Sequence, residues 1–320
     1  MDRRHELAGL GFASLCILCG AFVAAFAKLS TGRADALSVA AATNLFAGAA
    51  AGLWLGWRGD LRRLVERRTA PRLVLVGALG TAATALLFFE GASRTRATDV
   101  VLCLQIECAY SLVLARVFLG HPLTPRRVGA VAVLLAGIAL ALGDRGAGAP
   151  LGLLLLLATP LCWQLSHLVV LRGLAGVPPH VLTGARYAYG GALVAALWLA
   201  RGGFAVRPPP GEMAPLLATL AVQGIVLSFA GTLVWYQTIA RLDLARATAI
   251  VVPSIPLLSM AANFLLLGET ASARQWSGLG LVAVGVLAFV TAPHPRLPRE
   301  RIPSVAAPIA VEPGEGRRGG

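Results

Sequence analysis

Eight polar or ionisable side chains lie in runs that are otherwise apolar. Glu107 interrupts VLCLQIECAYSLVLARVFLG (100–119). Gln105 and Tyr110 flank it, and Tyr110, three residues on, shares its helical face. In CWQLSH (162–167), Trp163 and Gln164 precede His167 by four and three residues, which puts them on one face with it. Arg186 lies in GARYAYGGAL, and Glu90 near the end of a further run. A carboxylate at the centre of a bilayer costs about 2.5–3.5 kcal/mol on insertion scales. Glu107 persists there only if it faces the interior, is paired or is protonated. Two roles fit it: a group that carries a proton or binds a substrate amine, or a structural carboxylate hydrogen-bonded between helices. Arg186 reads as a partner for Glu107 or for a substrate carboxylate, or as a side chain snorkelling to the headgroups. His167, with Trp163 and Gln164, reads as cavity lining or as a packed histidine. Glu90 is either functional or simply reaches water.

The elements that must position these groups are membrane helices. The 320 residues are 57% hydrophobic and 13% charged, with a mean hydropathy of +0.74. A soluble domain carries roughly 25% charged residues. Apolar runs near 7–27, 37–57, 72–92, 99–119, 125–143, 150–171, 180–200, 214–237, 247–267 and 275–292 are each about long enough to cross a 30 Å hydrocarbon core. The expected fold is an all-α integral membrane protein of ten transmembrane helices. At 1.5 Å per residue, Glu107 would sit roughly 12 Å deep.

The net charge of +13 comes almost wholly from arginine, in short loops between runs, so it argues for orientation and against nucleic acid. With the N-terminus in the cytoplasm, inner segments hold 18 arginines and outer loops seven. The positive-inside rule then places both termini in the cytoplasm of a multi-pass protein of an inner membrane. The five cysteines fall inside predicted spans, where Cys16 and Cys19 read as packing residues, and no disulfide is expected.

Pro160, Pro253 and Pro256 interrupt predicted helices and are candidate hinges, because each removes a backbone hydrogen bond. Trp235, Tyr236 and Gln237 close the eighth predicted span and read as an interfacial belt. No Walker A loop accompanies the sole lysine, Lys28, and GxSxG and HExxH are absent. No catalytic residue, cofactor or metal is expected. An intramembrane enzyme would have only His167 and Arg186 to set beside Glu107.

The chain repeats itself. LGHPLTPRRVGAVAVLLAGIALAL (119–142) aligns without gaps on LGETASARQWSGLGLVAVGVLAFV (267–290), at an offset of 148. Thr124 followed by Pro125, and Ser272 with Gln275, predict capped helix starts in both. Upstream, VAAATNLFAG sits on VLTGARYAYG, with Gly48 on Gly190. Residues 1–146 therefore form a first five-helix unit and 147–292 a second. Proline-rich 293–320 reads as a disordered cytoplasmic tail. Five is odd, so the second unit would enter the membrane from the opposite side. Such inverted repeats belong to secondary transporters that bind solute near the midplane.

The closing half resembles an EamA-type permease of the drug/metabolite transporter superfamily. The resemblance is carried by Pro256, by Leu267-Gly268-Glu269 and by the glycine-rich last helix with Gly278, Gly280 and Gly285. In the first half Cys108 stands at the proline position and His121 at the glutamate position. The resemblance spans about 7–292. It implies a ten-helix, two-repeat carrier with a central cavity that moves a small metabolite, amino acid or drug by alternating access, usually outward and often with protons. A non-transporting scaffold or sensor is the alternative.

Overall fold

The computed structural model of the chain describes residues 3–292 except 121, 144–149, 175, 204, 206, 207, 210 and 243. The expected tail at 293–320 and His121 lie outside the described residues. No strand occurs among the described residues. The helices are α1 (Arg3–Thr31), α2 (Ala36–Arg58), α3 (Ala70–Arg94), α4 (Ala97–Leu119), α5 (Pro125–Leu142), α6 (Pro150–Gly173), α7 (Pro179–Ala200), α8 (Met213–Leu242), α9 (Leu244–Leu267) and α10 (Ala273–Thr291). Large apolar side chains such as Leu53, Trp57, Val117, Leu154 and Leu265 are exposed along their flanks. So much exposed apolar surface is what a lipid-facing protein needs.

Nine of the described helices are long and apolar enough to cross a membrane. The tenth expected span, α7, is 22 residues long but is not among the nine. Arg186, the tyrosines and the glycines dilute its hydropathy. Val181, Leu182, Thr183, Ala185, Tyr187 and Val194 are buried in protein.

Helix ends follow the sequence. Thr124 accepts the Arg127 N–H, with Pro125 in the first turn. Ser272 and Gln275 form a reciprocal capping box. The duplicated Leu-Gly has one job in both units: Gly120 (φ 69°) and Gly268 (φ 65°) adopt the left-handed conformation just past α4 and α9. All five cysteines are free.

Three helices depart from plain α geometry. A π-helical stretch runs over Ala78–Ala83 in α3, and another over Val222–Ala230 in α8. In α4 the turn tightens at Gln105 and Ile106, whose N–H groups donate to Leu102 O at 3.2 Å and Cys103 O at 3.3 Å. A new helical segment then starts at Glu107.

The two units meet through matching contacts. A Cβ on Gly137 would stand 2.7 Å from Gly278 O and 2.8 Å from Val282 N. One on Gly285 would stand 2.8 Å from Ala130 O and 2.7 Å from Leu134 N. Each residue of the second contact is its counterpart in the first shifted by 148. Gly9 likewise meets Leu242 and the Cβ of Arg241, while Gly152 meets Thr95 and the Cβ of Arg94. α5 packs antiparallel on α10, and α2 antiparallel on α7, where Gly48 meets Tyr187 O and Gly191 meets Asn44 O.

The chain ends of α1 and α10 share one face of the bundle, called here the terminal face. There His180 Nε2 lies 2.8 Å from Asp60 Oδ2, and Arg63 lies 3.0 Å from Oδ1. The hydrogen bond with His180, helped by Arg63 and Arg58, holds the Asp60 carboxyl below its usual range. A carboxyl lowered by folding adds stability that is complete above its unfolded pKa of about 3.9 and is lost as pH falls through the folded value. Asp60→Asn is expected to lower the melting temperature of purified protein by about 2–4 °C at neutral pH. The gap from the native protein should close below about pH 4. A gap that persists there would mean the contact does not work through the carboxylate charge.

Candidate functional site

Glu107 begins the second segment of α4, next to the tightened turn. Gln164, on α6, donates from Nε2 to Glu107 Oε1 at 2.7 Å. Pro160 is buried inside α6 one turn before Gln164. Arg186, on α7, donates from Nη2 to Gly80 O at 2.6 Å. Gly80 sits in the π stretch of α3, where the widened turn changes which carbonyls the helix uses for itself. A side chain there is excluded, since a Cβ would stand 2.4 Å from Ser166 Oγ and 3.2 Å from Arg186 Nε. Arg186 Nε and Thr81 Oγ1 are buried and make no hydrogen bond. Arg186 is close enough to Glu107, His167 and Tyr236 for its charge to act on each.

His167 lies well inside α6 and is exposed. α9 packs with the first segment of α4, with α5 and with α10 in one cluster of Leu102, Ala141, Met260 and Leu279. The second segment of α4 packs instead on α6 and α5, and no comparable packing of it on α9 occurs among the described residues. The space between α4 and α9 therefore widens toward the terminal face, where Arg116 is exposed.

The structure thus brings Glu107, Gln164, His167 and Arg186 together. Trp163 is half-buried one turn from His167, and Tyr110 half-buried one turn from Glu107. Gln105 bonds back to Val101 O at 3.3 Å, within its own helix. Glu90 lies apart, paired with Arg94 on a surface where its side chain is 40% exposed. Pro253 and Pro256 lie within α9 without ending it. Three residues escaped the sequence reading. Gly80 and Ser166 gain their places from a π stretch that no residue pattern announces. By sequence Tyr236 reads as part of an interfacial belt, at the end of a span expected to close at 237. The helix continues to Leu242 and carries Tyr236 inward, beside Arg186 and Tyr187. Arg241 in its last turn was the available signal.

The model of the EamA-like transporter family matches the chain over residues 7–143 and again over 150–291. The chain belongs to the EamA-like transporter family. It is a membrane transporter of the drug/metabolite type, and members of this family are transporters rather than enzymes. A solved structure titled only "Crystal structure of protein" is similar in fold, with a TM-score of 0.63 at 21% identity over 88% of this chain and 96% of that one. No curated protein matches the chain. The boundary between the two family matches falls between α5 and α6. Glu107 and Gly80 therefore come from the first unit, and Gln164, His167, Arg186 and Tyr236 from the second.

Proposed function

We propose that this transporter exports a small polar metabolite by alternating access, coupled to protons through Glu107. The hydrogen bond between Glu107 and Gln164 carries the reading, because it joins the two units at a carboxylate set among apolar helices. A negative and a positive side chain share the site without pairing directly: Glu107 has the Gln164 amide, and Arg186 has the Gly80 carbonyl. Each keeps bonding capacity for a solute that bears groups of both signs, such as an amine and a carboxylate. The buried Nε of Arg186 is a donor with no partner, and an unsatisfied buried donor costs about 1–3 kcal/mol.

The architecture we propose is ten spans in two inverted repeats, with α7 as the tenth. Contacts that recur at an offset of 148 describe a two-fold relation between the units. Since α5 and α10 run antiparallel, that axis lies across the helices, in the plane of a membrane. This supports inversion rather than rotation about the membrane normal. The arginine count favours a cytoplasmic terminal face and an inner-membrane location. The cavity would then open to the cytoplasm, which suits loading for export. The partners are the solute, protons and lipid.

The test is the metabolite profile of spent medium from cells producing the protein, beside cells carrying empty vector. One solute class enriched outside is the expected outcome. Matching profiles across media that supply amino acids, sugars and organic acids in turn would sink the export reading.

A further inference from the structure

Glu269 closes the Leu-Gly-Glu triplet, but it is far along the chain from the polar cluster and takes no part in it. Its side chain is only 14% exposed. Oε1 accepts the Ala97 N–H at 3.1 Å, and Oε2 accepts the Thr98 N–H at 3.2 Å and the Thr98 hydroxyl at 3.1 Å. Arg96 Nε lies 3.7 Å from Oε2, and Arg96 Nη2 donates to Thr270 O at 3.1 Å. The carboxylate of the second unit therefore caps the start of α4, a helix of the first unit. The bonds are charge-assisted, and the anion sits at the positive end of the helix dipole. A different residue holds the other side of the same turn. Lys28 Nζ donates to Ala92 O at 3.2 Å and Ser93 O at 3.3 Å, where α3 ends. Lys28 belongs to the first unit, so the end of α3 is held from its own repeat, while the start of α4 is held from the other.

These bonds lie on the face away from the chain ends, where α4 and α9 touch. Toward the terminal face the two helices part. Opening the closed face requires the start of α4 to leave the end of α9, and Glu269 makes most of the polar contacts that must break, with Arg96 to Thr270 O beside them. We propose that Glu269 is the latch of this gate: it holds the face away from the chain ends shut while the cavity stands open to the terminal face. The proposal rests on the alternating-access reading. It assigns Glu269 a positioning role, with no contact to solute.

The test is a pair of spin-label distances on full-length protein in nanodiscs, with the native cysteines replaced. Labels at Arg94 and Ala273 report the latched face, and labels at Leu7 and Val117 the terminal face. The native latch should give one short distance at 94/273. Glu269→Ala should add a longer population there and, in the same sample, a shorter one at 7/117, because alternating access couples the two faces. Glu269→Gln, which retains one acceptor oxygen, should shift part of the way. Thr98→Val removes a single bond and should move both pairs slightly in the same directions; it carries the test if Glu269→Ala does not fold. Unchanged distances overturn the latch. So does lengthening at 94/273 alone, which would make Glu269 a local helix cap. Solute export by the native protein is scored separately, so the latch can fail while the transport reading stands.

Discussion

Glu107→Gln is expected to reduce export of the solute by about tenfold or more, equivalent to at least about 1.4 kcal/mol, at equal protein level and unchanged melting temperature. The substitution keeps the shape of the side chain and an oxygen that can still accept from Gln164. It removes the charge and the site that takes up a proton. If Glu107 served only to join α4 to α6, the amide would suffice and export would continue. If it carries a proton or holds a cationic group of the solute, nothing nearby replaces it. Gln164 is neutral, and the matching depth of α9 offers Pro253 and Pro256 rather than a carboxylate. Export is read from spent medium, and the level from a tagged chain in the membrane fraction. Equal export by native and variant protein would leave the carrier standing and make Glu107 a structural residue.

How much of this site could be read beforehand depended on what kind of signal each part leaves. Glu107 was visible because a charge in an apolar run costs too much to be idle. The duplicated Leu-Gly, Thr124 and the Ser272–Gln275 box were visible because capping chemistry is local to a few residues. α7 was the element least like its expectation. Its arginine, tyrosines and glycines lower its hydropathy, and Arg186 among them enters the polar cluster. Glu90 is the opposite case: a carboxylate near a span end has water and Arg94 within reach, and needs no cavity. The Gly80 carbonyl was illegible for a further reason. Arg186 finds it in the π stretch of α3, which packs against α6 and α7 through Ser166 and Tyr189, across about a hundred residues of chain. Glu269 ends the Leu-Gly-Glu that carries the family resemblance, but its bonds to Ala97 and Thr98 lie 172 and 171 residues away. Such bonds follow from how the units dock, not from any periodicity.

The docking itself makes the second large expected effect. Gly137→Leu and Gly285→Leu should each abolish recovery of monodisperse protein, while Gly137→Ala and Gly285→Ala should each lower the melting temperature by a similar amount. At both sites a Cβ would meet backbone atoms of the facing helix at 2.7–2.8 Å. Backbone cannot rotate away as a side chain can, so α5 and α10 must separate. Overpacking of this kind costs about 1–3 kcal/mol for a small group and more for a large one. Separation would also loosen the cluster of Leu134, Ile138, Val282 and Val286 that both helices bury. Gly129 and Gly280 supply the control, since a Cβ at either meets nothing within 4 Å. There alanine brings only its better helix propensity, about 1 kcal/mol, and the melting temperature should hold or rise. Thermal unfolding in detergent, followed by intrinsic fluorescence, separates the two pairs. Similar losses at 137 and 285 are what a duplicated contact requires. If one alanine is tolerated and the other is not, the two units do not share a single packing solution, and the symmetry behind the proposed inverted repeat loses its physical basis.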